Sequence, residues 1–263
     1  MTELLPATAT LLPFSDRRFE SPRHPVRAIG SIAVLAIALP TPPPMESSGP
    51  DRKPPDRLRR VEHALEADFG SETRIHWGIR EATALIPVAD SSDAHIGRMV
   101  SVIAENMQDT FAATITFAAC DQLPTAVTHA DELLEIVLRL GLRPGLYRFQ
   151  DLALEYQLTR PGPARDRLAA EIAQLNSRSK LRETLRSYIA SNGSRGCTAR
   201  SLKVHPNTVD YRLSQITRLT GSNPVHPEGM WRLRSALLVH TFLETRPVAG
   251  ADSVGYHDST GRG

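Results

Sequence analysis

Residues 198–213 read TARSLKVHPNTVDYRL, and this stretch carries the strongest structural signal in the 263-residue chain. It predicts a short helix over 198–203, with Thr198 as its N-cap, followed by a second helix over 207–219. Pro206 suits the first position of the second helix, because a missing N–H costs nothing there. Two helices joined by so short a turn are typical of a helix-turn-helix.

The second predicted helix has one apolar side and one hydrogen-bonding side. Val209, Leu213 and Ile216 fall on the apolar side at helical spacing, and Gly221 ends the helix. The opposite side carries Asn207, Tyr211, Ser214 and Arg218, with Thr208 and Gln215 on one flank. Such groups can meet base edges and phosphates. The alternative interpretation is an ordinary solvated helix face.

Side chains in and around the two helices are therefore candidates for contact with DNA. Those expected at bases or adjacent phosphates are Asn207, Thr208, Tyr211 and Arg218. Those expected at the flanking backbone are Arg195, Arg200, Lys203 and His205. Arg212, Ser214 and Gln215 complete the candidate set.

Three residues in this region have alternative roles. His205 can donate to a phosphate or cap a helix. Arg212 leans toward the apolar side, where pairing with an acid of another helix is an alternative to DNA contact. Asp210 would be repelled by phosphates, so we expect it to orient a neighbouring Arg or to accept from a cytosine amino group.

The C-terminal third is basic although the whole chain carries a net charge of only +2. Residues 178–246 hold 12 Lys and Arg and four acids, a net charge of +8. The rest of the chain holds 19 bases and 25 acids, a net charge of −6. This asymmetry favours a polyanion-binding module beside an acidic body.

The residues before this module alternate between strand and helix patterns. Strands are predicted over 29–39, 73–79, 82–88, 114–119 and 146–149, and helices over 57–69, 96–107, 131–140 and 152–158. This order predicts an α+β, ferredoxin-like domain over 28–160, followed by an all-α helix-turn-helix domain over 178–246. Residues 1–27 and 247–263 are aperiodic and are predicted to be tails.

The apolar run over 28–39 does not predict a membrane span. It has 12 residues, whereas a spanning helix needs about 20. Prolines follow it where a signal peptide would have a small-residue cleavage site. We therefore expect a buried strand, no membrane partner and a cytoplasmic protein.

No sequence feature indicates an enzyme or a cofactor. Cys120 and Cys197 stand in unrelated contexts and are expected to be free thiols, and no His or Cys pair has the spacing of metal ligands. Walker, G-x-G-x-x-G and G-x-S-x-G motifs are absent from the sequence. Trp77 and Trp231 are expected to be packing anchors.

Residues 181–243 resemble the C-terminal helix-turn-helix domain of PucR/CdaR-type bacterial transcriptional regulators. The resemblance rests on LRETL over 181–185 with Tyr188, on ARSL over 199–202, on VHPNTVDYRL over 204–213, and on LTG over 219–221 with the late helix over 231–243. The family motif His-x-Asn-Thr-x-x-Tyr-Arg is intact. Pro206 and Asp210 stand where the family commonly has basic residues, which argues against a phosphate contact from either.

The preceding region is similar, more weakly, to the GGDEF-like domain that often precedes this helix-turn-helix in the same family. The matches are 114–119, 129–134 and 147–152. A GGDEF or comparable acidic, glycine-rich signature is absent from the sequence. Because nucleotide cyclisation needs clustered carboxylates to hold Mg²⁺, we expect no cyclase activity.

These patterns together predict a transcriptional regulator that binds double-stranded DNA through the major groove. One such module buries little surface, so we expect a homodimer on a two-fold operator. An unidentified small-molecule effector is left open. The alternatives are an adaptor or ligand-sensing protein that uses the helices for protein contacts, and an enzyme in the α+β domain.

Overall fold

The protein folds into two compact units. The computed structural model describes residues 31–38, 56–77, 81–107 and 110–245. The sheet unit contains the described residues up to Glu135 together with Arg143–Phe149, and the helical unit contains Ile136–Leu142 and the described residues from Gln150 onward. The predicted tails lie outside the described residues. The predicted domain limits, 28–160 and 178–246, stay predictions.

A five-stranded sheet forms the centre of the sheet unit. In chain order its strands are β1 (Ser31–Ala38), β2 (Arg74–Trp77), β3 (Glu81–Val88), β4 (Ala112–Ala118) and β5 (Gly145–Arg148). Their spatial order is β2-β3-β1-β4-β5. The neighbours β4 and β5 are parallel, and the other neighbouring pairs are antiparallel. The sheet is therefore mixed, with β1 in the middle.

The central strand β1 is the apolar run that the sequence predicts to be a buried strand. Every side chain from Ile32 to Ala38 is buried. In the sheet register, Val34 lies opposite Leu85 of β3 and opposite Thr116 of β4. The prediction of a strand at this place is confirmed.

Among the described residues, no helix has the length and apolar character that crossing a membrane requires.

Two helices pack on one face of this sheet. They are α1 (Asp56–Phe69) and α2 (Asp93–Met107). Val61 of α1 and Met99 of α2 are fully buried in the same apolar core as Leu35 of β1. The order β1-α1-β2-β3-α2-β4, with antiparallel neighbours in the spatial order β2-β3-β1-β4, is the split βαβ arrangement of ferredoxin-like folds. The predicted α+β class is confirmed.

The next helix, α3 (Leu123–Leu140), begins earlier than the predicted helix over 131–140. Pro124 is tolerated in a first helical turn, so it does not prevent the early start. Val127 and Ala130 extend the buried stripe back along the helix. The Thr114 hydroxyl of β4 donates a hydrogen bond to the Ala130 carbonyl at 2.6 Å. Contacts with the sheet thus stabilise the first turns of α3, which the periodicity of the sequence does not predict.

The helical unit confirms the predicted all-α class of the C-terminal part. Its complete helices are α4 (Ala153–Thr159), α5 (Pro163–Ala173), α6 (Ser179–Ala190), α7 (Arg195–Leu202), α8 (Pro206–Thr220) and α9 (Pro227–Glu244). Their apolar core includes Ile172, Leu185, Val209, Ile216 and Leu233, all fully buried. This core is what holds α8 in place.

An ion pair and a glycine fix the start of α9 in this unit. Arg232 Nε donates to both carboxylate oxygens of the buried Glu171 of α5, at 2.9 and 3.0 Å. A Cβ on Gly229 would lie 2.0 Å from the Asn223 carbonyl oxygen, so this position accepts only glycine. Both contacts join α9 to the chain segments around it.

The predicted packing role of Trp231 is wrong. Its side chain is 60% exposed at the start of α9. Met230 packs against the core and Leu233 is fully buried within it, so the inward stripe of α9 is filled without the indole. Trp77 lies in β2, and its side chain is outside the described part of the chain.

Candidate nucleic-acid interface

Helix α7 begins at Arg195, and its N-cap is Ser194. The Ser194 hydroxyl accepts a hydrogen bond from the Cys197 N–H at 3.3 Å. The prediction of Thr198 as the cap is therefore wrong. Thr198 is buried inside the helix, and its hydroxyl donates back to the Ser194 carbonyl at 2.8 Å. The sequence signal for the true cap is a serine directly after the Asn192-Gly193 turn.

The connection between α7 and α8 is a tight, capped turn. Lys203 adopts the left-handed conformation at φ 53°, and the Val204 N–H donates to the Ala199 carbonyl at 3.0 Å. His205 is the N-cap of α8, with its Nδ1 accepting from the Asn207 N–H at 3.2 Å. Pro206 occupies the first helical position, as predicted. The His205 side chain is placed as a helix cap, one of its two predicted alternatives.

The buried side of α8 is the apolar side that the sequence predicts. Val209 and Ile216 are fully buried, and Leu213 is nearly so. They share a core with Leu185 of α6 and with Ala199 of α7. Ala199 is small where α7 and α8 approach each other. The packing of these residues against α6 and α7 fixes which side of α8 faces outward.

The opposite side of α8 presents hydrogen-bonding groups to the exterior of the helical unit. Asn207, Tyr211, Ser214 and Arg218 are exposed, Tyr211 by 65%, while Thr208 and Gln215 are partly exposed. Arg218 Nη2 donates to Gln215 Oε1 at 2.5 Å, one helical turn away. We call this set the α8 polar face. Its side chains offer both hydrogen-bond donors and acceptors, and base edges in the major groove present both kinds of partner.

Three positive side chains and one histidine flank the α8 polar face. Arg195, Arg200, Lys203 and His205 are all exposed on α7 and in the turn. Arg195 Nη1 donates to Asp210 Oδ2 at 2.8 Å, so Asp210 pairs with a neighbouring arginine, as one of its two predicted alternatives requires. Arg200 Nη2 contacts Cys197 Sγ at 3.3 Å. The structure thus brings the predicted backbone-contacting cations next to the predicted base-contacting face.

Arg212 departs from this arrangement. It is partly buried, and its Nη1 donates to the Thr184 hydroxyl of α6 at 3.1 Å. The sequence predicts an acid of another helix as the alternative partner of Arg212, and that prediction is wrong, since the partner is a hydroxyl. Thr184 in turn donates to the Lys180 carbonyl at 2.7 Å. Arg212 therefore ties α8 to α6, and no short-range sequence signal marks its neutral partner.

The described residues hold no group of His, Cys, Asp and Glu side chains able to bind a metal ion. Cys120 and Cys197 are free and exposed. A hydrogen bond with Ser194, and then one with Arg200, lowers the pKa of the Cys197 thiol. The Cys197 thiol thus lies beside two polar neighbours at the start of α7.

Comparisons with known proteins show which domain this site resembles. Residues 181–239 match the family model of the PucR C-terminal helix-turn-helix domain. Uncharacterized proteins of Mycobacterium tuberculosis and Mycobacterium bovis are each 48% identical over 57 residues, 22% of this chain and 14% of the relative. An uncharacterized protein of Haemophilus influenzae is 32% identical over 113 residues, 41% of this chain and 31% of that protein. The chain thus spans under a third of these relatives' length.

One solved structure is also similar to this chain. It is the crystal structure of a regulator of polyketide synthase expression from Bifidobacterium adolescentis, with 19% sequence identity, 82% coverage of each chain and a TM-score of 0.33. The family match covers α7, the capped turn and α8, which together build the interface described above. The helical unit of this chain contains a PucR C-terminal helix-turn-helix domain.

Proposed function

We propose that this chain is a transcriptional regulator that binds double-stranded DNA by placing α8 in the major groove. The observation that carries the proposal is the α8 polar face, exposed on one side of a helix whose other side is clamped in the core. At 1.5 Å per residue, the 15 residues of α8 extend about 22 Å. The major groove of B-DNA, about 12 Å wide, admits a helix of this kind.

The proposal assigns two kinds of contact. The α8 polar face supplies the base contacts and those to adjacent phosphates, from Asn207, Thr208, Tyr211, Ser214, Gln215 and Arg218. The flanking side chains supply contacts to the phosphate backbone, from Arg195, Arg200, Lys203 and His205. The partly buried Arg212, which bonds to α6, supports the orientation of α8 and reaches DNA from the edge of that face.

The proposal extends to the assembly and to the rest of the chain. Two copies would place two α8 helices in successive major grooves, about 34–36 Å apart, on a two-fold operator. We propose that the protein acts in the cytoplasm as a homodimer. We further propose that its sheet unit is a GGDEF-like domain without catalytic activity, which dimerises the chain or senses a small-molecule effector.

The experiment that tests the proposal is selection of duplexes by the full chain. The purified protein is incubated with a randomised duplex library, and the retained DNA is sequenced over several rounds. We expect one enriched motif with two-fold symmetry. A wild-type chain that retains no duplex above the level of a protein without DNA-binding activity would contradict the proposal.

On the selected duplex, Arg218→Ala should cost about 1–3 kcal/mol of binding free energy while the fold is kept, because the exposed guanidinium is removed from the proposed contact surface. Fluorescence anisotropy with labelled duplex measures the loss, and circular dichroism checks the fold. Arg186→Ala is the matched control, since it removes the same charge from an exposed position of α6, the helix that packs on the buried side of α8. An unchanged affinity for Arg218→Ala would remove Arg218 from the interface.

A further inference from the structure

A carboxylate lies among the cations of the proposed DNA-binding surface. Asp210 is exposed on α8, with its side chain 45% accessible, and pairs with Arg195 of α7. DNA presents a phosphate charge about every 1.7 Å along the helix axis, so an acidic group at this place weakens binding to every sequence alike. A group that lowers general affinity is useful to a DNA-binding protein where it discriminates between sequences.

The ion pair leaves hydrogen-bonding capacity on both partners. Asp210 Oδ2 accepts from Arg195 Nη1 at 2.8 Å. Within the described residues, Asp210 Oδ1 makes no hydrogen bond, and the Arg195 guanidinium makes none beyond this pair. The free carboxylate oxygen can accept a hydrogen bond, while the remaining guanidinium N–H groups can donate hydrogen bonds to an acceptor. Since an exposed pair contributes little to stability, its removal should leave the fold intact.

The major groove presents two classes of base edge to such a carboxylate. Cytosine N4 and adenine N6 are amino donors, whereas guanine O6 and thymine O4 are acceptors. A carboxylate oxygen accepts a hydrogen bond from an amino group and is repelled by a carbonyl oxygen. A guanidinium group held beside it offsets the phosphate field and restricts the carboxylate to one orientation.

We propose that Asp210, held by Arg195, determines specificity by reading an exocyclic amino group, that of cytosine or adenine, at one position of the operator. This inference rests on the proposed function, because it assigns a role within the same DNA-binding surface. It differs from a mere orienting role. If the carboxylate only orients Arg195 for a phosphate contact, removing it changes the affinity for all sequences equally. If the carboxylate reads a base, removing it changes which base is preferred at that position.

The test compares the duplexes selected from one randomised library by the full wild-type chain and by Asp210→Ala. We expect the wild type to select cytosine or adenine at one half-site position, with about tenfold discrimination against guanine and thymine. Asp210→Ala, whose side chain accepts no hydrogen bond, should lose most of this preference at that position and keep the preferences at the other positions. The selected base, cytosine or adenine, identifies which amino group is read.

Two further variants make the outcome decisive. Arg195→Ala should weaken the preference at the same position, because the carboxylate loses its restraint. Glu228→Gln removes one negative charge from an exposed position in the first turn of α9 and should leave the selected motif unchanged. Identical motifs for wild type and Asp210→Ala would overturn this inference while the proposed function stands. A wild type that retains no duplex would overturn both.

Discussion

Raising the salt concentration from about 50 to about 200 mM should weaken binding of the full chain to its selected duplex by about 10⁴-fold if the protein binds as a dimer. The flanking side chains Arg195, Arg200 and Lys203, with Arg218 of the α8 polar face, give four Lys and Arg per copy that can neutralise phosphates. The slope of log affinity against log salt is about −0.9 per neutralised phosphate, so eight contacts predict about 10⁴-fold and four contacts predict about 10²-fold.

The measurement is an anisotropy titration at several salt concentrations with the same labelled duplex. Its slope reports the number of phosphates neutralised and thereby separates one bound copy from two. Lys203→Gln is the matched probe, since it should reduce the magnitude of the slope by about one unit per copy. A slope near zero would contradict a binding mode based on phosphate contacts.

The second large effect is expected in the core beneath α8. Ile216→Ala should reduce the free energy of unfolding of the helical unit by about 2–5 kcal/mol, because it opens a cavity at a fully buried position. The same variant should lose DNA affinity, since α8 is held in place by this core. Ser214 is an exposed neighbour on the same helix, so Ser214→Ala should change the free energy of unfolding by no more than about 0.5 kcal/mol.

Urea denaturation gives the overall change, and hydrogen exchange of α8 peptides shows whether the loss falls in the helical unit. Peptides from β1 serve as the internal reference, because β1 belongs to the other compact unit. Equal effects of Ile216→Ala and Ser214→Ala would show that the two sides of α8 are not distinguished by burial.

The elements that local chemistry specifies were predictable from the sequence. The start of α8 is marked by Pro206 and its end by Gly221, which takes φ 74° at the C-cap. The spacing of Val209, Leu213 and Ile216 identifies its buried side, and the structure buries these three residues. β1 was predictable for a similar reason, since a short apolar run between prolines suits a central strand better than a membrane helix.

The features that were missed depend on partners distant in the sequence. The first turns of α3 are held by a hydrogen bond from Thr114 to Ala130, which periodicity within the helix does not reveal. Arg212 bonds to the hydroxyl of Thr184, a neutral partner 28 residues away. Trp231 is exposed although its size suggests a core residue, because Met230 and Leu233 already fill the inward stripe. Tertiary packing overrides the local signal in each case.

The approach of α8 to the major groove can be measured from a single position of the polar face. Ser214→Cys is introduced after the exposed Cys120 and Cys197 have been replaced by serine, and an iron chelate that generates hydroxyl radicals is attached to the new thiol. Glu183→Cys on α6 carries the same chelate as the control, because Glu183 is exposed on the helix packed against the buried side of α8. We predict strong DNA cleavage within each half-site from position 214 and weak, diffuse cleavage from position 183. Strong cleavage from position 183 with none from position 214 would contradict insertion of α8 into the groove.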